Sequence, residues 1–326
     1  MSKWFLHVVL PIGMLLPVMI MAGCKSDIPE LPECFDLQGH RGAMGLKPEN
    51  TIPGFLHAVD HHVDTIEFDL AVTKEHKLVI SHEPWFRSDI CLQPDGSLIS
   101  TQDERSFRLY DYLYAEIAEF DCGSLRHPSH PNQVPVSAEK PLMIDAIKAI
   151  DDYSRSSRSD PVRFNIEIKT NPAWDGSLTP EPSVFARLLH EELKEIKRNH
   201  DKSIFKRINV QSFDPRSLRA FREIAPSVPI AILTYQDETV DDHIDYFGFL
   251  PEIYSPNYGL LTPEHMRRAH DLGMRVIPWT VNRHDEILQM VRLGVDGIIT
   301  DYPNHFHDLY PDAGSADEDC SNLSEV

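Results

Sequence analysis

Short apolar segments alternate with longer amphipathic ones along nearly the whole chain, and this alternation limits the possible folds more than any other feature. Strand candidates are Phe35–Gly39, Thr65–Ala71, Leu78–Ser81, Arg163–Lys169, Ile208–Ser212, Ile230–Leu233, Ile253–Ser255, Arg275–Trp279 and Gly297–Thr300. Helix candidates lie between most of them, among them Pro182–Arg198, Pro215–Ile224, Pro263–Leu272 and Asp285–Leu293. Pro182, Pro215 and Pro263 suit the first turn of a helix, where a missing N–H costs little. Gly273 and Gly294 suit helix C-termini. Strand–helix alternation of this length implies an α/β fold with a parallel sheet. Roughly eight such units point to a closed (β/α)₈ barrel, the TIM barrel. A doubly wound open sheet is the alternative that periodicity leaves open.

The rhythm breaks once, between about residues 83 and 140, where Pro, Asp, Gly, Ser and Arg clusters replace the pattern. That stretch reads as a subdomain inserted after the second strand region. It holds Cys91 and Cys122, a candidate disulfide; Cys34 and Cys320 would then join the two ends of the barrel, the alternative being that Cys320, in the polar tail, is free.

The ends of the chain read differently from its body. Lys3 precedes an apolar run from Trp4 to Met21, then Ala22-Gly23-Cys24. A short positive region, an apolar core and small residues make a secretory signal over residues 1–23. Cys24 after Ala-Gly resembles a bacterial lipobox, in which that cysteine is lipidated. An uncleaved membrane helix is the alternative, although Pro11 and Pro17 interrupt it. Residues 24–33 read as a linker, 34–310 as the barrel and 311–326 as an acidic, disordered tail. The 326 residues carry a formal net charge of −20. This argues against nucleic-acid binding and against membrane attachment through a basic patch, so the lipid anchor is the expected membrane contact. An exported, cell-envelope lipoprotein facing the periplasm follows as the expectation.

Four groups of residues carry chemistry. On a strand, residues two apart share a face. In Thr65–Leu70 this sends Ile66, Phe68 and Leu70 outward and Glu67 and Asp69 into the barrel. In Arg163–Lys169 the same alternation turns Asn165, Glu167 and Lys169 inward. Ionised carboxylates gathered in a lumen repel and lose hydration unless a cation or protons compensate. Three of them offer the hard oxygen ligands that suit Ca²⁺ or Mg²⁺. His40-Arg41 follows the first strand and His82 the third, at the C-terminal ends that face a barrel's active-site mouth. The histidines supply proton transfer and Arg41 a phosphate clamp.

Taken together, these residues resemble the glycerophosphodiester phosphodiesterase family. The similarity runs in order through His40-Arg41-Gly42, Pro48-Glu49-Asn50-Thr51, Glu67-Phe68-Asp69, His82, Glu167-Ile168-Lys169, Gln211-Ser212-Phe213, Pro278–Asn282 and Asp296–Asp301. It implies a TIM barrel and a divalent cation on Glu67, Asp69 and Glu167. It implies His40 and His82 as the acid–base pair, and Arg41 and Lys169 as phosphate contacts. Glu49, Asn50 and Gln211 would support the site. Phe213 and Trp279 would line a glycerol pocket, though both also suit plain packing. The implied reaction converts a glycerophosphodiester to sn-glycerol 3-phosphate and an alcohol. The other readings are phospholipase-like cleavage of intact lipid and a non-enzymatic surface-binding lipoprotein.

Overall fold

The computed structural model describes Met1, residues 28–155 and residues 160–313. The expected signal peptide after Met1, Cys24, Cys320 with its expected pairing to Cys34, and most of the acidic tail therefore fall on residues outside the described ones. Among the described residues no helix is long and apolar enough to cross a membrane.

The strands are β1 (Asp36–Gly39), β2 (Thr65–Val72), β3 (Leu78–Ile80), β4 (Arg163–Ile168), β5 (Ile208–Ser212), β6 (Ile230–Thr234), β7 (Ile253–Pro256), β8 (Arg275–Val276) and β9 (Gly297–Thr300). The helices are α1 (Ile52–Asp60), α2 (Tyr114–Ile117), α3 (Met143–Ser154), α4 (Pro182–Asn199), α5 (Pro215–Ile224), α6 (Val240–Phe247), α7 (Pro263–Asp271), α8 (His284–Leu293) and α9 (Pro303–Leu309). The parallel strands run in the order β8-β7-β6-β5-β4-β2-β1-β9. The two ends of that order meet. Asp296 N donates to Val276 O at 2.9 Å, and Ile299 N to Pro278 O at 2.9 Å. The sheet thus closes into a TIM barrel, and the open sheet is set aside.

β3 is not one of the barrel staves. It turns back antiparallel against β2, with Leu70 opposite Ile80 and Val72 opposite Leu78. β8 is shorter than the expected Arg275–Trp279 strand, because Pro278 has no N–H to continue the ladder. The chain still runs beside its neighbours there, with Ile277 N donating to Tyr254 O at 3.0 Å and Trp279 N to Pro256 O at 3.1 Å.

Helix starts follow local chemistry. Thr51, Asp214, Thr239 and Thr262 cap α1, α5, α6 and α7 by accepting a backbone N–H, satisfying donors that the first turn leaves orphaned. The outward residues Ile66, Phe68, Leu70, Phe164, Ile166 and Ile168 are fully buried in the main core between barrel and helices. The lumen is divided. Ala231, Ile253, Ile277 and Ile299 form an apolar cluster in one part of it. Asp36, Gln38, Thr65, Asn165, Asn209 and Gln211 are all buried polar residues elsewhere on the inner face. They satisfy one another: Thr65 Oγ1 donates to Asp36 Oδ1 at 2.7 Å, and Asn165 Nδ2 to Gln38 Oε1 at 2.8 Å.

The segment from Glu83 to Lys140 has its own small core. Phe86, Ile90, Cys91, Ile99, Leu109, Ile117, Phe120 and Cys122 pack on Ala71 and Val79 of the β2–β3 hairpin. Phe86 and Phe120 stack at 3.8 Å, and Cys91 and Cys122 are disulfide-bonded, with Cα atoms 4.0 Å apart. The bond spans 31 residues, a loop whose closure is worth about 3–4 kcal/mol in the chain-entropy account. The double variant Cys91→Ala/Cys122→Ala is therefore expected to lower the melting temperature by several degrees in differential scanning calorimetry. An unchanged melting temperature would show that the apolar cluster alone holds this segment.

Candidate active site

Register brings the carboxylates together. Asp69 on β2 lies directly opposite Glu167 on β4, two residues along from the Glu67–Asn165 pair. Residues opposite each other on parallel strands face the same side, so all three carboxylates point into the lumen. Their oxygens lie within 4.8 Å of one another, and all three side chains are buried. Such a cluster repels itself. Burial, then Asp69 and Glu167, push the Glu67 carboxyl well above its usual range. Burial pushes Glu167 up to about 7, although Lys169 opposes the shift. Asp69 moves the other way. Burial is more than offset there by His82, Arg41, Lys169 and a hydrogen bond from Asn50, which hold it well below the carboxylate range. Lys169 Nζ sits 2.9 Å from Glu167 and 3.8 Å from Asp69. The fit to a divalent cation rests on this charge imbalance and on the all-oxygen donor set.

The other predicted residues surround this centre. Arg41 N donates to Glu67 Oε2 at 2.8 Å, and Gln211 Nε2 to Glu67 Oε1 at 2.9 Å. Asn50 Nδ2 donates to Asp69 Oδ2 at 2.8 Å. Arg41 Nη1 bonds Glu49 Oε1 at 3.0 Å, while its Nε lies 3.4 Å from Asp69. Arg41 and Asn50 both have positive φ, 49° and 55°. This strained left-handed backbone aims the Arg41 N–H inward, and positive φ is tolerated more readily by Asn than by most residues. Phe213 and Trp279 meet edge to face at 5.5 Å, and Phe213 also lies 5.9 Å below Lys169 Nζ. Trp279 Nε1 donates to Ser255 O at 2.9 Å.

The two histidines are held differently. His40 Nδ1 contacts Asp301 Oδ1 at 2.5 Å, which leaves Nε2 toward the mouth with no hydrogen-bond partner among the described residues. Asp301 Oδ2 accepts from Asn282 Nδ2 at 2.7 Å. Burial opposes ionisation of Asp301, but His40, His130 and the hydrogen bond from Asn282 together hold the carboxyl below its usual range. His82 Nδ1 bonds Glu83 Oε1 at 2.7 Å, and its Nε2 lies 3.0 Å from Lys169 Nζ. Burial, then Arg41, keep His82 below the usual imidazole range. With Nδ1 directed at Glu83, Nε2 is the ring atom that faces the ammonium.

Several residues of the site carried no role in the sequence reading. Asp301 and Asn282 orient His40, and Glu83 orients His82. Asp301 and Asn282 were visible only as parts of longer blocks, although Asp301 follows β9 just as His40 follows β1. The inserted segment adds Arg87 and His127, 3.6 and 3.5 Å from Glu49 Oε2, and His130, 3.9 Å from Asp301. These three sit in a stretch without periodicity, so no local signal marks them.

The model of the glycerophosphoryl diester phosphodiesterase family matches residues 40–305. The chain belongs to that family. It is 28% identical to a glycerophosphodiester phosphodiesterase of Caldanaerobacter subterraneus, over 84% of this chain and 97% of that one. A crystal structure from Silicibacter pomeroyi is 26% identical with a TM-score of 0.75, covering 88% of this chain and 96% of its own. A phosphodiesterase of Oleispira antarctica, solved with its product sn-glycerol 3-phosphate, shares the fold at 17% identity and a TM-score of 0.65, over 86% of this chain and 97% of its own.

The charge balance has a thermal signature. Glu67 and Glu167 hold protons more tightly folded than unfolded. The stability they contribute is full below the ordinary glutamate range and is lost as pH rises, for Glu167 through about 7. Asp69 is shifted the opposite way, and its contribution is lost only on acidification. Between about pH 5 and pH 8 metal-free wild type is thus expected to lose melting temperature relative to Glu167→Gln, with millimolar Mg²⁺ or Ca²⁺ restoring it most at the higher pH. Glu192 is also raised to about 7, so the difference between wild type and Glu167→Gln isolates the site. Parallel melting curves for the two would rule this account out.

Proposed function

We propose that the protein hydrolyses glycerophosphodiesters to sn-glycerol 3-phosphate and an alcohol, using a divalent cation, Ca²⁺ or Mg²⁺, and two histidines. The observation that carries the proposal is the placement of His40 and His82 beside three lumen carboxylates and two cations at the C-terminal mouth of a family barrel. Glu67, Asp69 and Glu167 would hold the cation, which when bound draws charge from a non-bridging phosphate oxygen.

The chain's own residues supply the rest. Arg41 is anchored by Glu49 and lies beside Asp69, so its guanidinium is already oriented when an anionic phosphate enters. Lys169 rests on Glu167 and His82 and turns to the phosphate as the site fills. That movement frees His82 Nε2, which is otherwise occupied. His40 Nε2 needs no such release. One imidazole removes the proton of the nucleophile and the other protonates the leaving alkoxide; water as nucleophile gives glycerol 3-phosphate directly, whereas the glycerol 2-hydroxyl gives a cyclic phosphodiester that a water molecule then opens to glycerol 3-phosphate. Asp301 accepts from Nδ1–H of His40 and Glu83 from Nδ1–H of His82, so each ring presents Nε2 to the site, bare in the base and protonated in the acid. Phe213 and Trp279 give an apolar wall suited to the carbon face of glycerol.

Export and anchoring through a lipid on Cys24 form part of the same proposal. They are supported by the signal-like run before Ala22-Gly23-Cys24 and by a net charge that gives membranes no basic patch to hold. Cell-envelope placement facing the periplasm would put the site among deacylated phospholipids.

The deciding assay is release of glycerol 3-phosphate from glycerophosphocholine, with EDTA and then with Ca²⁺ or Mg²⁺ restored, and with lysophospholipid and diacyl lipid as parallel substrates. Wild type is expected to turn over the deacylated diester only with metal. His40→Ala and His82→Ala are each expected to lose roughly 10²–10⁴-fold in kcat while melting normally. Preference for intact lipid would move the reading to a phospholipase.

A further inference from the structure

One turn of the inserted segment touches both arms of the site. His127 and His130 lie in it, with His130 N donating to His127 O at 3.0 Å and the two rings 4.7 Å apart. Both side chains are buried. The turn is fastened to the loop that carries Arg41, Glu49 and Asn50. Gln133 Nε2 donates to Met44 O at 2.7 Å and to Lys47 O at 3.1 Å, Gln133 Oε1 accepts from His127 N at 2.9 Å, and Val134 N donates to Leu46 O at 2.9 Å.

Each imidazole faces a different carboxylate. His130 Nδ1 bonds the Tyr302 hydroxyl at 3.0 Å, which turns Nε2 toward Asp301 Oδ2 at 3.9 Å. Tyr302 is seated by the absence of a side chain at Gly45, where a Cβ would lie 2.3 Å from the ring. Asp301 is the carboxylate that holds His40. His127 Nε2 lies 3.5 Å from Glu49 Oε2, an oxygen that is buried without a hydrogen bond, and 3.3 Å from Arg87 Nη2. Glu49 is the carboxylate that holds Arg41. At 3.9 and 3.5 Å the two imidazoles are electrostatic neighbours of these buried carboxylates and part of the wall that packs them, and a group one ångström out of position can cost about 10²-fold in rate.

We infer that the His127–Gln133 turn is a positioning element. His130 acts through Asp301 on the ring of His40, and His127 acts through Glu49 on the guanidinium of Arg41. The inference rests on the roles given above to His40 and Arg41. The alternative is that the two imidazoles only fasten the inserted segment to the barrel. The roles differ in what they change: His130 should govern the chemical step and His127 the hold on the phosphate.

The test uses the mature chain with Mg²⁺ or Ca²⁺ and glycerophosphocholine. His130→Ala should lower kcat roughly 10- to 100-fold with KM within about twofold. His127→Ala should raise KM roughly tenfold with kcat little changed. Two conservative variants sharpen the first result. A glutamine amide nitrogen reaches the position of Nε2, whereas asparagine reaches only that of Nδ1. His130→Gln should therefore keep most of kcat, and His130→Asn should fall with His130→Ala. Equal losses in the Gln and Asn variants, or changes in kcat and KM that merely follow the melting temperature, would overturn the inference. Nitrogen-15 spectra of the His40 ring give a reading without turnover. Wild type and His130→Gln should show a single Nδ1–H tautomer, and His130→Ala a mixture. If wild type cleaves no glycerophosphodiester, the catalytic reading fails, yet the tautomer still decides the positioning role. An unchanged His40 spectrum in His130→Ala would reject it.

Discussion

Three carboxylates share one buried space in the barrel, and much of the inner face is arranged around their charge. Glu67, Asp69 and Glu167 cannot all ionise there without compensation. The protein answers with donors rather than with distance. Asp69 takes Asn50, Arg41 and Lys169; Glu67 takes the Arg41 N–H and Gln211; Glu167 takes Lys169. The polar residues on the inner face continue this logic. Gln211 reaches Glu67 and also accepts from Asn165, which in turn donates to Gln38. A side chain that positions a carboxylate is itself positioned by the next one, so the cluster is braced along the inner face.

That bracing uses only part of the lumen. β6, β7, β9 and the residue just after β8 turn Ala231, Ile253, Ile299 and Ile277 into an apolar cluster, with Trp279 packed on it. The division is economical in desolvation. Charge is concentrated where hydrogen bonds compensate it, and the apolar cluster itself carries no polar side chain to satisfy. Placing Phe213 and Trp279 at the boundary gives a substrate both kinds of wall at once, oxygens and cations on one side and aromatic carbon on the other.

What could be read from residue order follows the same boundary. Alternation on β2 and β4 sorted Glu67, Asp69, Asn165 and Glu167 from Ile66, Phe68, Phe164 and Ile166, because a period of two needs no tertiary information. The barrel itself was legible from strand and helix spacing, apart from β3, whose return against β2 depends on the turn at Thr73–Lys77. Asp301, Asn282 and Glu83 were harder. Each matters through one partner, and His40 and Asp301 are 261 residues apart. No window of sequence contains both. The inserted residues His127, His130 and Arg87 were illegible for a further reason: nothing in a stretch of Pro, Ser and Asp indicates which side faces the barrel.

The β2–β3 hairpin explains why the inserted segment and the site are not separable. β2 carries Glu67 and Asp69 on its inner face. The residues immediately after them, Ala71 and then Val79 on β3, pack into the small core of the inserted segment. Ser81 N donates to Asp69 O at 2.9 Å, and His82 follows directly. The backbone that places a carboxylate therefore also places a histidine and supports the covering subdomain. A displacement of that subdomain pulls on the hairpin from one side and on the Met44–Lys47 loop from the other, through Gln133. Inserted segment and catalytic groups are thus joined at two points, the β2–β3 hairpin and the Met44–Lys47 loop, and each junction holds a residue of the site by the same backbone that holds the segment.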